Sequence, residues 1–164
     1  MEKVDLLNKR KELTGEVSER NNVPEGFYRL SIHIWIMNDN EELLIQQRTA
    51  NRKFFPNMWS NTGGAAIAGE TSLETLKREL KEELNLVPEI DHLELIASYK
   101  RKKDFVDVWL LRQNVNIDDL VFQEDEVQGA KWVSVDEWQK MVEEGEAIKS
   151  STDYLMHYLN DDLF

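Results

Sequence analysis

The chain has 164 residues, 41% hydrophobic and 32% charged, which suits a single domain spanning residues 1–164 with a buried core. It has no cysteine, so disulfides, thiolate–metal sites and a thiol nucleophile are excluded. A formal net charge of −12 argues against a nucleic-acid polymer as main partner, yet an acidic protein can still take phosphorylated small molecules through bridging metal ions.

The first residues, Met1-Glu2-Lys3-Val4-Asp5, carry no apolar signal core, and no stretch reaches membrane-spanning length, so the expected location is cytoplasmic. The first twenty or so residues are polar and weakly patterned, with Gly15 as a turn marker. Residues 30–37 form a predicted strand by their β-branched and aromatic content, residues 38–40 a turn, and residues 43–48 a second strand of the same hairpin. A loop over residues 49–59, broken by Pro56, leads to the pair Gly63-Gly64. Thr71-x-x-Glu74 is a capping box, and Leu73, Leu76, Leu80 and Leu84 form the apolar stripe of the helix it opens, which should stop near Asn85. Residues 93–99 and 105–111 are predicted strands around the basic tip 100–103. A short strand over 130–135 follows, then a helix capped by Asp136 and running to about Glu144, and a last amphipathic helix over 152–159. This order predicts an α/β fold with a mixed β-sheet and helices on both faces.

The central helix carries the chemistry. Glu79, Glu82 and Glu83 fall within an arc of about 100°, beside the leucine stripe rather than opposite it. Like charges three and four residues apart cost a few tenths of a kcal/mol per pair, so something positive should offset them. Arg78 can do part of this, and a hard divalent cation more, because oxygen ligands at this density suit Mg2+ or Mn2+. Taken alone, the cluster also fits a solvated acidic face.

The wider spacing narrows the choice. Gly64, Glu70, Arg78, Glu79, Leu80, Glu82, Glu83 and Leu86 match the signature G-x5-E-x7-R-E-U-x-E-E-x-G-U, where U is aliphatic. The chain thus resembles the Nudix hydrolase superfamily. Its second signature glycine is Asn85 here, and Asn is the commonest other residue able to end a helix in the left-handed conformation. The resemblance implies an α/β/α sandwich and a metal-dependent hydrolase of a nucleoside diphosphate linked to another group. It implies Glu79, Glu82 and Glu83, with the Gly64 carbonyl, as ligands of Mg2+ (or Mn2+), and Arg78, partnered by Glu70, as the group orienting them. The resemblance leaves the general base open: Glu79 is one candidate and the acidic run 124–126 another, within which Glu126 is preferred, although that run also reads as a solvated loop.

Arg48, at a strand end leading toward the site, and Arg52 and Lys53 in the next loop are candidate phosphate holders, though they also read as exposed loop cations. Phe54, Phe55 and Trp59 are read as packing under the loop rather than stacking on a base. The basic tip is read as a solvated turn, and His33, His92 and His157 as structural. The expected partner is a small-molecule diphosphate, with no membrane involved and with homodimer formation left open. Nucleoside triphosphates, nucleotide sugars, dinucleotide cofactors and prenyl diphosphates all present the same linkage.

Two alternatives stand beside this. The segment around Pro56 and Trp59-Ser60-Asn61-Thr62 also resembles the isopentenyl-diphosphate isomerase branch. That chemistry needs a cysteine and histidines where this chain has Gly63-Gly64-Ala65-Ala66. A non-catalytic nucleotide-binding Nudix domain is the other; such domains usually lose motif glutamates, and all are present here.

Overall fold

The structure is a computed structural model that describes residues 2–160; Met1 and residues 161–164 lie outside it. The N-terminal segment is not the weakly structured stretch its polarity suggests. β1 (Lys3–Leu7) and β2 (Leu13–Glu19) form an antiparallel hairpin, and Gly15 (φ +86) lies inside β2, opposite a shift in register, instead of at the turn. Val4, Leu6 and Leu7 are buried, so the short alternation Val4-x-Leu6 was the readable signal. The hairpin is pinned to the body by Leu7–Tyr28 backbone bonds. It also buttresses the loop before the central helix, through Ala68 N–H to the Lys3 carbonyl (2.8 Å) and Gly69 N–H to Asp5 Oδ2 (2.8 Å).

The main sheet contains β3 (Arg29–Met37), β4 (Glu42–Arg48), β5 (Trp59–Ser60), β6 (Thr62–Ala65), β7 (Leu93–Lys100), β8 (Asp104–Arg112) and β9 (Val127–Ser134). The order is β5-β4-β3-β8-β7, with β6 also on β3 and β9 also on β4. β3 and β8 run parallel along their whole length and the other pairs are antiparallel, so the sheet is mixed. The hairpin β3–β4 is paired only at Met37↔Leu43. Beyond that point the two strands part, and the chain of β5 and β6 fills the gap, pairing Gln46↔Ser60 on one side and Ile32↔Gly64 on the other. This split opens the sheet where the glutamate helix crosses it.

Side-chain alternation along β3 builds two cores. Ile32, Ile34 and Ile36 pack with Leu76, Leu80 and Leu84 of α1 (Ser72–Leu84). Trp35 and Met37 face the other way, toward Trp138 and Met141 of α2 (Val135–Glu143) and Leu155 of α3 (Thr152–Leu159). One helix on one face and two on the other make the expected α/β/α sandwich. The cap of α2 is Ser134, whose hydroxyl accepts from Glu137 N–H (3.0 Å), not Asp136; Asp136 sits in the first turn, where its charge suits the helix dipole. Among the described residues, no helix is long and apolar enough to cross a membrane.

Candidate active site

The loop entering α1 and the helix itself form one hydrogen-bonded unit. Thr71 and Glu74 close the capping box in both directions. At the far end Asn85 adopts φ 55, ψ 41, and Leu86 N–H reaches back to the Leu80 carbonyl (3.1 Å). Asn85 therefore does the helix-ending work of a glycine.

Arg78 organises the acidic side chains. Its Nε and Nη2 donate to both oxygens of Glu70 (2.7 and 3.0 Å), Nη1 to Glu79 Oε1 (2.9 Å) and Glu82 Oε2 (3.2 Å), and Nη2 also to the Ala65 carbonyl (3.0 Å). Burial opposes ionisation of Glu70, but the Arg78 bond and the Ile67 N–H hold its carboxyl below the ordinary value. The hydrogen bond to Glu70 in turn raises the Arg78 pKa. One planar guanidinium thus ties the loop to the helix and aims two carboxylates.

Glu79 and Glu83 lie deeper. Burial pushes the Glu79 carboxyl up to about 7 against the pull of Arg78, with Glu82 and Glu126 adding to the rise. Glu83, 6% exposed, is raised well above its usual range by burial and then by Glu79. Its Oε1 accepts from Gln46 Nε2 (3.0 Å), while Oε2 is buried with no hydrogen-bond partner. Gly64 abuts this pair from the sheet, and a Cβ there would overlap the Glu79 carboxyl group. Among the described residues, no three acidic or imidazole side chains already stand in metal-binding array, because Arg78 draws Glu79 and Glu82 toward itself.

The residues nonetheless fit a hard divalent cation. The donors are all oxygen, one buried carboxylate oxygen lacks a partner, two carboxyls carry pKa values raised first by burial and then by neighbouring carboxylates, and the backbone approaches where only glycine has room. Glu79, Glu82, Glu83 and the Gly64 carbonyl are the groups that would hold it.

These residues line one cleft of about 630 Å³, which also takes in Glu126, Arg48 and Arg52. Glu126 enters from the loop before β9 and pairs with Arg52 (3.1 Å). Arg48 donates to the Phe54 carbonyl (3.0 Å), and burial and then Arg52 lower its pKa. Of the three candidate cations, Arg48 and Arg52 line the cleft, whereas the Lys53 ammonium lies over the Phe54 ring, 5.4 Å from the centroid. Phe54 and Phe55 do not pack under the loop. They are exposed at the cleft, and Phe55 has φ 52, whereas Trp59 does pack on the core.

Sequence reasoning missed Gln46 and Arg101 and read His33 as structural without foreseeing its place in the cleft wall. Gln46 is two residues before Arg48 on the same strand face, so alternation along β4 was the available signal. His33 is in the cleft wall, with Nδ1 beside Ser151 Oγ (2.9 Å) and Ser150 Oγ (3.1 Å); a long-range contact of this kind leaves no local mark. Burial and then Arg101 depress its pKa to about 4, against Asp104. A histidine held neutral in the fold contributes stability that is complete above its ordinary value near 6.5 and lost as pH falls toward 4. The Tm advantage of the wild-type chain over His33→Asn should therefore shrink between about pH 7.5 and 4.5; a constant gap across that range would show that His33 protonates freely in the fold.

Comparison with known proteins gives the family and the fold. The family described as "NUDIX domain" matches residues 27–152. An uncharacterized Nudix hydrolase of Listeria monocytogenes is 34% identical over 166 residues, covering 100% of this chain and 94% of the relative. The crystal structure of DR0079 from Deinococcus radiodurans superposes with a TM-score of 0.77 at 26% identity, covering 96% of this chain and 98% of that one. The NUDIX domain of Shewanella oneidensis NrtR, crystallised with ADP ribose, shares the fold with a TM-score of 0.62 at 17% identity, over 87% of this chain and 93% of that domain.

Proposed function

The chain belongs to the Nudix family, and from that premise we infer that it is a divalent-metal-dependent hydrolase of a diphosphate linkage, in a compound where a nucleoside diphosphate is joined to another group. The observation that carries this reading is the buried, unpartnered oxygen of Glu83 beside the raised Glu79 carboxyl, at Gly64, where the lack of a side chain lets the sheet backbone come close. Such a site is costly for the protein alone and favourable with a cation in it.

A diphosphate repels nucleophiles. Glu79, Glu82 and Glu83 would hold a Mg2+ or Mn2+ ion that, when bound, would neutralise charge on the diphosphate oxygens and lower the pKa of water. The chain's own residues do the rest. Arg78 fixes the carboxylates in direction, Gln46 holds Glu83 Oε1, and Arg48 and Arg52 offer N–H donors to phosphate oxygens at the cleft wall. Glu126 is our choice of general base: it comes from a different element than the helix, and its carboxylate, paired with Arg52 at 3.1 Å, would take the proton of the attacking water once Arg52 turns to a phosphate oxygen, while the motif glutamates serve the cation. Glu126→Gln should then lower kcat by about 10²- to 10⁴-fold with little change in Mn2+ affinity; an unchanged kcat would move the base to Glu79.

The direct test is a panel of diphosphate compounds (nucleoside triphosphates, nucleotide sugars, ADP-ribose, dinucleotides, prenyl diphosphates) with Mg2+ or Mn2+, reading phosphate released by a coupled phosphatase. Turnover of at least one member, abolished by EDTA, is expected. Binding without turnover of any member would make the chain a non-catalytic module.

A further inference from the structure

The cleft has a second charged end that the proposed hydrolysis does not use. Arg20 just after β2, Arg29 at the start of β3 and Arg101 in the β7–β8 turn all line it. Three separate elements bring these guanidiniums together in a chain whose net charge is −12, and their neutralisation is incomplete. Arg101 is committed to Asp104 (Nε–Oδ1 2.8 Å, Nη2–Oδ2 2.6 Å), a buried carboxylate that also accepts from Ser31. Arg20 faces Glu2 at 3.8 Å, with both side chains about half exposed. Arg29 donates from Nη1 to the Arg20 carbonyl (2.9 Å), but its Nε is buried without a hydrogen-bond partner. Burial, then Arg20 and Arg101, lower the Arg29 pKa, with Asp104 in opposition. A buried donor with nothing to bind, among cations that repel one another, is a state an anion would relieve.

We propose that this arginine corner binds a second phosphate of the substrate, a phosphomonoester separate from the diphosphate that is cut. The inference rests on the hydrolytic reading of the same cleft. Guanidiniums from three directions match the oxygens of a tetrahedral phosphate better than the two of a carboxylate. Arg29 precedes Ile32, the ladder partner of Gly64, by three residues, which places the corner on the order of 10 Å along the strand from the glutamate site. That separation selects dinucleotide-like compounds with a phosphorylated sugar over those whose only phosphates are in the scissile linkage.

NADP+ and NAD+ differ by one such phosphomonoester and serve as probes. Calorimetric titration of the full chain in EDTA, with the glutamate site kept metal-free, should show NADP+ binding about 10- to 100-fold more tightly than NAD+. In Arg29→Gln and Arg101→Gln that ratio should fall to about one, and in Arg20→Gln it should fall at least about threefold. Arg20 is exposed, so its variant keeps the test available if a more buried position fails to fold. Equal affinities in the wild-type chain, no NADP+ binding at about 10 mM, or a ratio that survives all three substitutions would each overturn the proposal. Metal-dependent turnover in the diphosphate panel is scored separately: a chain that hydrolyses a diphosphate but binds the two probes equally keeps its function and loses the corner.

Discussion

Glu83→Gln is expected to lower diphosphate hydrolysis on the order of a thousandfold without weakening the metal-free fold. Partners that merely orient metal ligands are worth about 10- to 100-fold, and a group that holds the cation directly should exceed that. The substitution is close to isosteric, and its amide oxygen can still accept from Gln46. It removes a carboxylate whose ionisation burial and Glu79 disfavour. The sign of the stability effect follows from that raised pKa. A carboxyl titrating higher in the fold than in the unfolded chain gives stability that is present below about 4.5 and lost as the pH rises through its folded value. Glu79, at about 7, does the same. Metal-free wild-type protein should therefore melt lower at pH 8 than at pH 6, with part of that loss abolished in the variant. Added Mg2+ or Mn2+ should raise the wild-type Tm and leave the variant nearly unmoved. If the variant keeps full activity, or gains the same Tm from metal, the glutamate site is misassigned.

Arg78→Ala should damage both stability and activity. Its side chain is one-fifth exposed and links Glu70, Glu79, Glu82 and the Ala65 carbonyl. Removing it strands two largely buried carboxylates, which costs about 3 kcal/mol, on the order of 10 °C in Tm for a domain of this size. Activity should fall by about 10- to 100-fold or more as Glu79 and Glu82 lose their aim. Arg78→Lys separates charge from shape: a lysine keeps the charge but cannot span four acceptors, so it should recover part of the Tm and little of the activity. Melting curves and kcat measured on the same preparations check this. A lysine variant with wild-type activity would show that charge alone suffices.

The elements that were legible in the sequence are those with strong local periodicity or chemistry. The leucine stripe and capping box of α1, the β-branched run of β3 and the amphipathic stretch of α3 each set their own conformation, and the structure has them where the pattern put them. Asn85 was legible because helix termination by a left-handed residue is a local requirement. What failed was set by partners distant in sequence. β1 and β2 are polar on one side and gain their order from packing on Tyr28 and the loop before Glu70, contacts 21 or more residues away. The cap of α2 fell two residues early because Ser134 both ends β9 and caps the helix. At the site, the helix residues followed from one signature, whereas the cleft's far wall, with Arg20, Arg29, His33 and Arg101, is assembled by sheet topology from elements that carry no shared motif. Lys53 and Arg52 are adjacent in one loop, and only the fold could decide which faces Glu126.

Glu79, Glu82, Glu83 and the Gly64 carbonyl are expected to take a divalent cation. Anomalous diffraction from crystals soaked in Mn2+ tests it most directly. A strong anomalous peak is expected between the Gly64 carbonyl and these carboxylates, with Glu83 Oε2 among the ligands and the peak gone in Glu83→Gln. A wild-type crystal soaked to saturation with no peak there, and with Glu79 and Glu82 still bonded to Arg78, would contradict it.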